Sequence, residues 1–192
     1  IQAEQGSYPT SYIPTYGSSV TRVAETCNNA GNSDLFNDSE GVLYAEIAAL
    51  ADDGTLRRLA LVDSSASSII RLEYNTTSNR IFGVCYTSGT NQAAIFYDLS
   101  DSTIFTKIAF KYKANDFALW VNGVEVGTDS SGIAPSGLVK LNFDNGSGGN
   151  DFYGKTKMVS TFTEALSDSE LECLTSWSSF NRMATAQNYT IE

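Results

Sequence analysis

The stretch Phe105–Gly127, FTKIAFKYKANDFALWVNGVEVG, decides the fold. Ile108, Phe110 and Tyr112 alternate with Ala109, Lys111 and Lys113, and Phe117, Leu119 and Val121 alternate with Ala118, Trp120 and Asn122. A period of two marks strands with one buried face. Asn122-Gly123 is the pair that best tolerates the two positive φ angles of a type I′ hairpin turn, so Val124 to Gly127 is expected to return antiparallel. The alternation sends Phe117, Leu119 and Val121 to the core and leaves Trp120 on the opposite face, among Lys111, Lys113 and Asn122. That face is either a contact surface for a ligand or the underside of a loop or sister subunit.

Outward from this meander the chain is rich in short strands. Val42–Leu50, Arg57–Asp63, Ser68–Tyr74, Arg80–Thr87 and Gln92–Tyr97 precede it, separated by Ser, Asn, Thr and Gly clusters. Leu138–Phe143 and Gly154–Phe162 follow it, around the Gly-rich loop 144–151. Even spacing of short strands predicts an all-β, antiparallel jelly-roll sandwich. One helix is expected over 165–174, because Ser167 with Glu170 three residues on makes a capping box and Leu171 and Leu174 supply an inward face. Residues 1–22 hold Pro9 and Pro14 among Tyr, Thr and Ser, which predicts an extended lead before a domain over 23–192. Val20–Ala24 is a candidate first edge strand, and Trp177, Phe180, Met183 and Tyr189 of the tail are candidates to cap the core or reach a neighbouring chain.

The 192 residues suffice for one sandwich with a substantial core. No apolar run approaches the roughly 20 residues of a membrane-spanning helix. Twelve Lys and Arg against 22 Asp and Glu give a net charge of −10, which opposes nucleic acid and anionic lipid and favours neutral polymers or cations as partners. The absence of His removes the usual general base and every His-activated nucleophile. Cys27, Cys85 and Cys173 match no metal pattern and are expected as free thiols, suited to folding in a reducing cytoplasm. The chain starts at Ile1 without Met or a visible signal peptide, which suggests a processed product or an excised domain.

Two segments, Phe117–Val124 and Gly154-Lys155 through Thr163-Glu164-Ala165-Leu166-Ser167-Asp168-Ser169-Glu170-Leu171, resemble the hairpin and closing segments of concanavalin A-like lectin and laminin G-like jelly rolls. The resemblance covers roughly Val42 to Leu174 and speaks for fold more than activity. The lead Ala3–Thr15 with Val20-Thr21-Arg22 resembles the segment that precedes such domains in bacteriophage tail-fibre and other virion proteins. It implies a module assembled in the host cytoplasm and acting outside the cell on a virion, in a homo-oligomer with other virion proteins as partners. The function expected is non-catalytic carbohydrate binding to host surface glycan. The alternative is a structural fibre or capsid-decoration domain that self-associates.

A glycan hydrolase is disfavoured, because a retaining enzyme needs two carboxylates about 5 Å apart and Glu46 and Glu73 each lack an acidic partner on their strand. A lyase is disfavoured by the missing His. Sugar binding instead needs a flat aromatic for the apolar face of the ring and polar groups for its hydroxyls. Trp120, Tyr44, Arg71 and Glu73 have those types and are expected to converge if their strands are neighbours on one concave sheet. Asp144, Asn145, Asn150 and Asp151 are oxygen donors in one flexible loop and so candidate Ca²⁺ ligands, although Asp-Asn-Gly is also ordinary turn chemistry.

Overall fold

A computed structural model describes residues 14, 16–18 and 27–176. Among the described residues ten strands run in chain order: β1 (Glu40–Ala49), β2 (Arg57–Val62), β3 (Ile69–Tyr74), β4 (Arg80–Thr87), β5 (Thr90–Asp98), β6 (Thr106–Lys113), β7 (Phe117–Val121), β8 (Val124–Asp129), β9 (Lys140–Asn142) and β10 (Gly154–Phe162), followed by helix α1 (Asp168–Ser176). They form two five-stranded antiparallel sheets, a back sheet ordered β10-β1-β6-β7-β8 and a front sheet ordered β5-β4-β3-β2-β9. The jelly-roll sandwich expected from strand spacing is the fold observed. The N-terminal lead with its candidate strand 20–24 and the aromatic tail lie outside the described residues, apart from 14 and 16–18.

The meander forms as its alternation requires. Asn122 and Gly123 have φ of 49° and 87° between β7 and β8, the two left-handed residues of a tight hairpin. The inner faces meet in one core in which Leu43, Ala45 and Ile47 of β1 and Ile108, Phe110 and Tyr112 of β6 pack with Leu59, Leu61, Ile70, Leu72, Ile81 and Cys85 of the front sheet. Each fully buried Leu, Ile or Phe contributes about 1.5–3 kcal/mol relative to exposure. Two phenols of this core are satisfied: Tyr112 donates to Asn37 O at 2.9 Å and Tyr74 to Ile47 O at 3.3 Å.

The helix begins at Asp168, directly after the Ser167 cap that the capping box predicts, and ends at Ser176, two residues beyond the 165–174 stretch. The capping box is in place, with Glu170 Oε2 accepting from the Ser167 backbone N–H at 2.8 Å and Leu171 N–H donating to Ser167 O at 2.9 Å. Leu171 and Leu174 pack against Val42, Tyr44, Ala109, Ala118 and Trp120, the outward residues of the back sheet. Thr175 Oγ1 accepts from Gly123 N–H at 2.9 Å, which fastens the helix end to the β7–β8 turn. The back sheet therefore has no open outer face at its centre.

Candidate functional site

The structure separates the four sequence-predicted sugar-binding residues. Tyr44 stands on β1 and Trp120 on β7 of the back sheet, whereas Arg71 and Glu73 stand on β3 of the front sheet. The expected convergence does not occur. Nor is Trp120 exposed: it retains 7% of its surface and lies under Leu171 and Leu174 with Tyr44 beside it. Burial, with the Glu46 charge nearby, pushes the Tyr44 phenol well above its ordinary range. Of the two readings of an outward Trp, the packing one holds, with a helix in place of a loop.

Arg71 and Glu73 belong to a different constellation, built by the register of the front sheet. Arg58 pairs with Glu73, Glu73 with Phe82 and Phe82 with Phe96, which makes one row across four strands. The next row carries Ala60, Arg71, Val84 and Ala94, and the row beyond it Ile69 and Tyr86. Side chains two apart share a face, so these residues point away from the core formed by Leu59, Leu72, Ile81 and Cys85.

Two guanidiniums meet one carboxylate oxygen here. Arg58 Nε donates to Glu73 Oε2 at 2.8 Å, and Arg71 Nε lies 2.9 Å from the same oxygen. The second contact is an ion pair by distance, yet the N–H does not aim at the oxygen, and Arg71 Nε is left without a hydrogen-bond acceptor although it is buried. Burial pulls the Arg71 guanidinium below its ordinary value, Arg58 adds to that, and Glu73 opposes it. The Arg71 side chain keeps 9% of its surface and that of Glu73 8%. The Arg71 guanidinium carbon also sits 5.7 Å from the centre of the Tyr86 ring.

The other end of the same face is aromatic and open. Phe82 and Phe96 have ring centres 5.5 Å apart, and Phe96 is 48% exposed. The Arg80 guanidinium lies 4.0 Å over the Phe96 ring and is held by two bonds to Asp98, Nε to Oδ1 at 2.6 Å and Nη2 to Oδ2 at 2.8 Å. An exposed Phe is thereby backed by a neighbouring ring and a stacked cation, which limits its rotation. Sequence reading missed Arg58, Phe82, Tyr86 and Phe96. Only the register of β3, β4 and β5 sets Phe82 and Phe96 beside Glu73.

The candidate Ca²⁺ loop is occupied by its own donors. Asp144 is buried, and its Oδ1 accepts from Gly146 N–H and, at 3.3 Å, from Asn142 Nδ2. Asn145 Oδ1 accepts from the Ser147 backbone and hydroxyl at 3.0 Å, Asp151 Oδ2 from the Tyr153 hydroxyl at 3.1 Å, and the Asn150 carbonyl from Arg58 N–H at 3.1 Å. Among the described residues, no three His, Cys, Asp or Glu side chains are grouped to hold a metal. Asp144 and Asn145 make Asx turns that fold the loop against Val62, where Gly146 at φ 90° leaves no room for a Cβ.

No family model and no curated protein sequence matches the chain. Solved structures do. The CBM40 of the Ruminococcus gnavus IT-sialidase bound to α2,3-sialyllactose superposes with a TM-score of 0.60 at 12% identity, covering 79% of this chain and 97% of that one. The native heptameric SAP-like pentraxin of Limulus polyphemus gives 0.58 at 10% identity over 80% and 76% of the two chains. The leech intramolecular trans-sialidase gives 0.57 at 16% identity over 75% of this chain, which spans only 24% of that enzyme. At these identities the likeness concerns the backbone, and with the two five-stranded sheets it shows the chain to have a concanavalin A-like jelly-roll fold.

Proposed function

We propose that this chain is a non-catalytic carbohydrate-binding module that holds glycan on the outer face of its front sheet. The observation that carries the reading is the row Phe96, Phe82, Glu73 and Arg58, flanked by Arg71 and Tyr86. It sets a backed aromatic surface next to fixed hydrogen-bonding groups, which is the combination a pyranose needs for its apolar face and its hydroxyls. The shared fold with a module bound to sialyllactose supports the same reading. Glu46 and Glu73, the outward carboxylates on β1 and β3, lie on different sheets, and each is engaged by a basic side chain, Glu46 by Lys157 at 2.8 Å and Glu73 by Arg58. They cannot flank one glycosidic bond as an acid and nucleophile pair must.

The resemblance of residues 3–22 to segments of phage tail-fibre proteins supports placing this module on a virion appendage, where it attaches to host surface glycan. The test is a glycan array that includes bacterial surface sugars, followed by titration of the best hits with Phe96→Ala and Trp120→Phe. Loss of one aromatic platform weakens binding by about tenfold, whereas Trp120→Phe leaves affinity unchanged because Trp120 lies under α1. A folded protein that binds no glycan but sediments as a specific homo-oligomer would replace this reading with the structural, self-associating one.

A further inference from the structure

We infer that the sugar held by this face is acidic, and that Arg58 and Arg71, clamped on Glu73, seat a single carboxylate or sulfate group. The inference rests on the glycan-binding reading above and adds the class of ligand. Two guanidiniums share Glu73 Oε2, at 2.8 Å from Arg58 Nε and 2.9 Å from Arg71 Nε, so the cluster carries one positive charge more than Glu73 balances. Among the described residues, no other carboxylate comes within ion-pair distance of either arginine. The neighbouring Arg80 is already matched by Asp98 and adds no net charge to the cluster.

Burial makes this imbalance costly. The Arg71 side chain is more than nine-tenths buried, and its Nε–H has no acceptor. A buried charge is tolerated when it is paired and hydrogen-bonded, and here both conditions are half met. A sugar hydroxyl would supply an acceptor but no charge. An oxyanion supplies both, and the planar guanidinium fork suits carboxylate and sulfate alike. In a chain of net charge −10, a buried cationic excess on an outward sheet face also directs an acidic ligand to one spot rather than to the surface at large. The pyranose carrying the acid then extends toward Phe82 and Phe96, which lie in the same row as Glu73.

The experiment is isothermal titration of the whole chain with matched oligosaccharides that end in glucuronate, in galactose sulfate, and in the corresponding neutral sugars. Acidic ligands are expected to bind about tenfold or more tightly than their neutral partners, the scale of one charge-assisted hydrogen bond, with a preference that shrinks as salt rises. Whichever of the glucuronate and sulfate series binds more tightly names the acid group. Glu73→Gln removes the competing anion and is expected to raise the ratio of acidic to neutral ligand affinity, a change that a purely structural role would not produce. Arg71→Gln is expected to abolish the preference; if it does not fold, Arg58→Gln, at a side chain 18% exposed, carries the same test. Equal binding of acidic and neutral ligands, or a preference that survives both arginine substitutions, overturns the inference while leaving the glycan-binding reading intact. Failure to bind any sugar overturns both.

Discussion

Gly83 on β4 lies under the ring of Phe110 on β6, and the ring occupies the space a side chain at position 83 would need. The two sheets approach here because Gly83, which pairs with Leu72 and Ile95 in the front sheet, has no Cβ. Gly83→Ala is expected to push Phe110 off its rotamer and to destabilise the fold by about 1–3 kcal/mol, the usual cost of overpacking. Thermal or urea denaturation measures it. A fully neutral Gly83→Ala would mean that the sheets are not in contact at this point.

Helix α1 is predicted to be required for the integrity of the back sheet. Leu174 is buried against the outward side of that sheet, so Leu174→Ala is expected to cost about 2–4 kcal/mol, within the range for large-to-small changes in a core. In a Trp177→Phe background the same substitution is expected to red-shift the emission of Trp120, whose indole loses its cover. Unshifted emission together with unchanged stability would show that the helix does not shield Trp120.

The three thiols are expected to differ in reactivity. Burial pushes Cys85 up to about 12, while Cys27 is exposed and Cys173 half-buried. Ellman's reagent at pH 8 is expected to label Cys27 first, Cys173 more slowly and Cys85 only in denaturant. The same burial implies a pH dependence of stability. Above the ordinary thiol value of about 8.5 the unfolded chain releases the Cys85 proton while the folded one keeps it. The unfolded state then binds fewer protons, so stability is full below about pH 8.5 and falls as pH rises toward 12. The buried Tyr74 and Tyr112, raised for the same reason, act in the same direction. Chemical denaturation from pH 7 to 11 with flat midpoints would contradict this.

Local chemistry made most of the strands and turns legible. Residues 80–87 and 154–162 are strands over the spans their composition predicts, Asn122-Gly123 takes the positive φ angles it suits, and Ser167 with Glu170 starts the helix. Each depends only on neighbours along the chain, through the period of two, the freedom of Asn and Gly at positive φ, and the bonding at a helix end. Two things depended on residues far apart. Alternation says that Trp120 and Glu73 both point away from the core, but not that α1 returns 50 residues later to cover the first, nor that the two stand on different sheets. Likewise Arg58, Arg71, Glu73, Phe82 and Phe96 meet only through the register of β2 to β5, which is set by packing of the inner faces. The sequence by itself determined which side chains leave the core; the tertiary structure alone decided which of them lie under the helix and which stand together on the outer side of the front sheet.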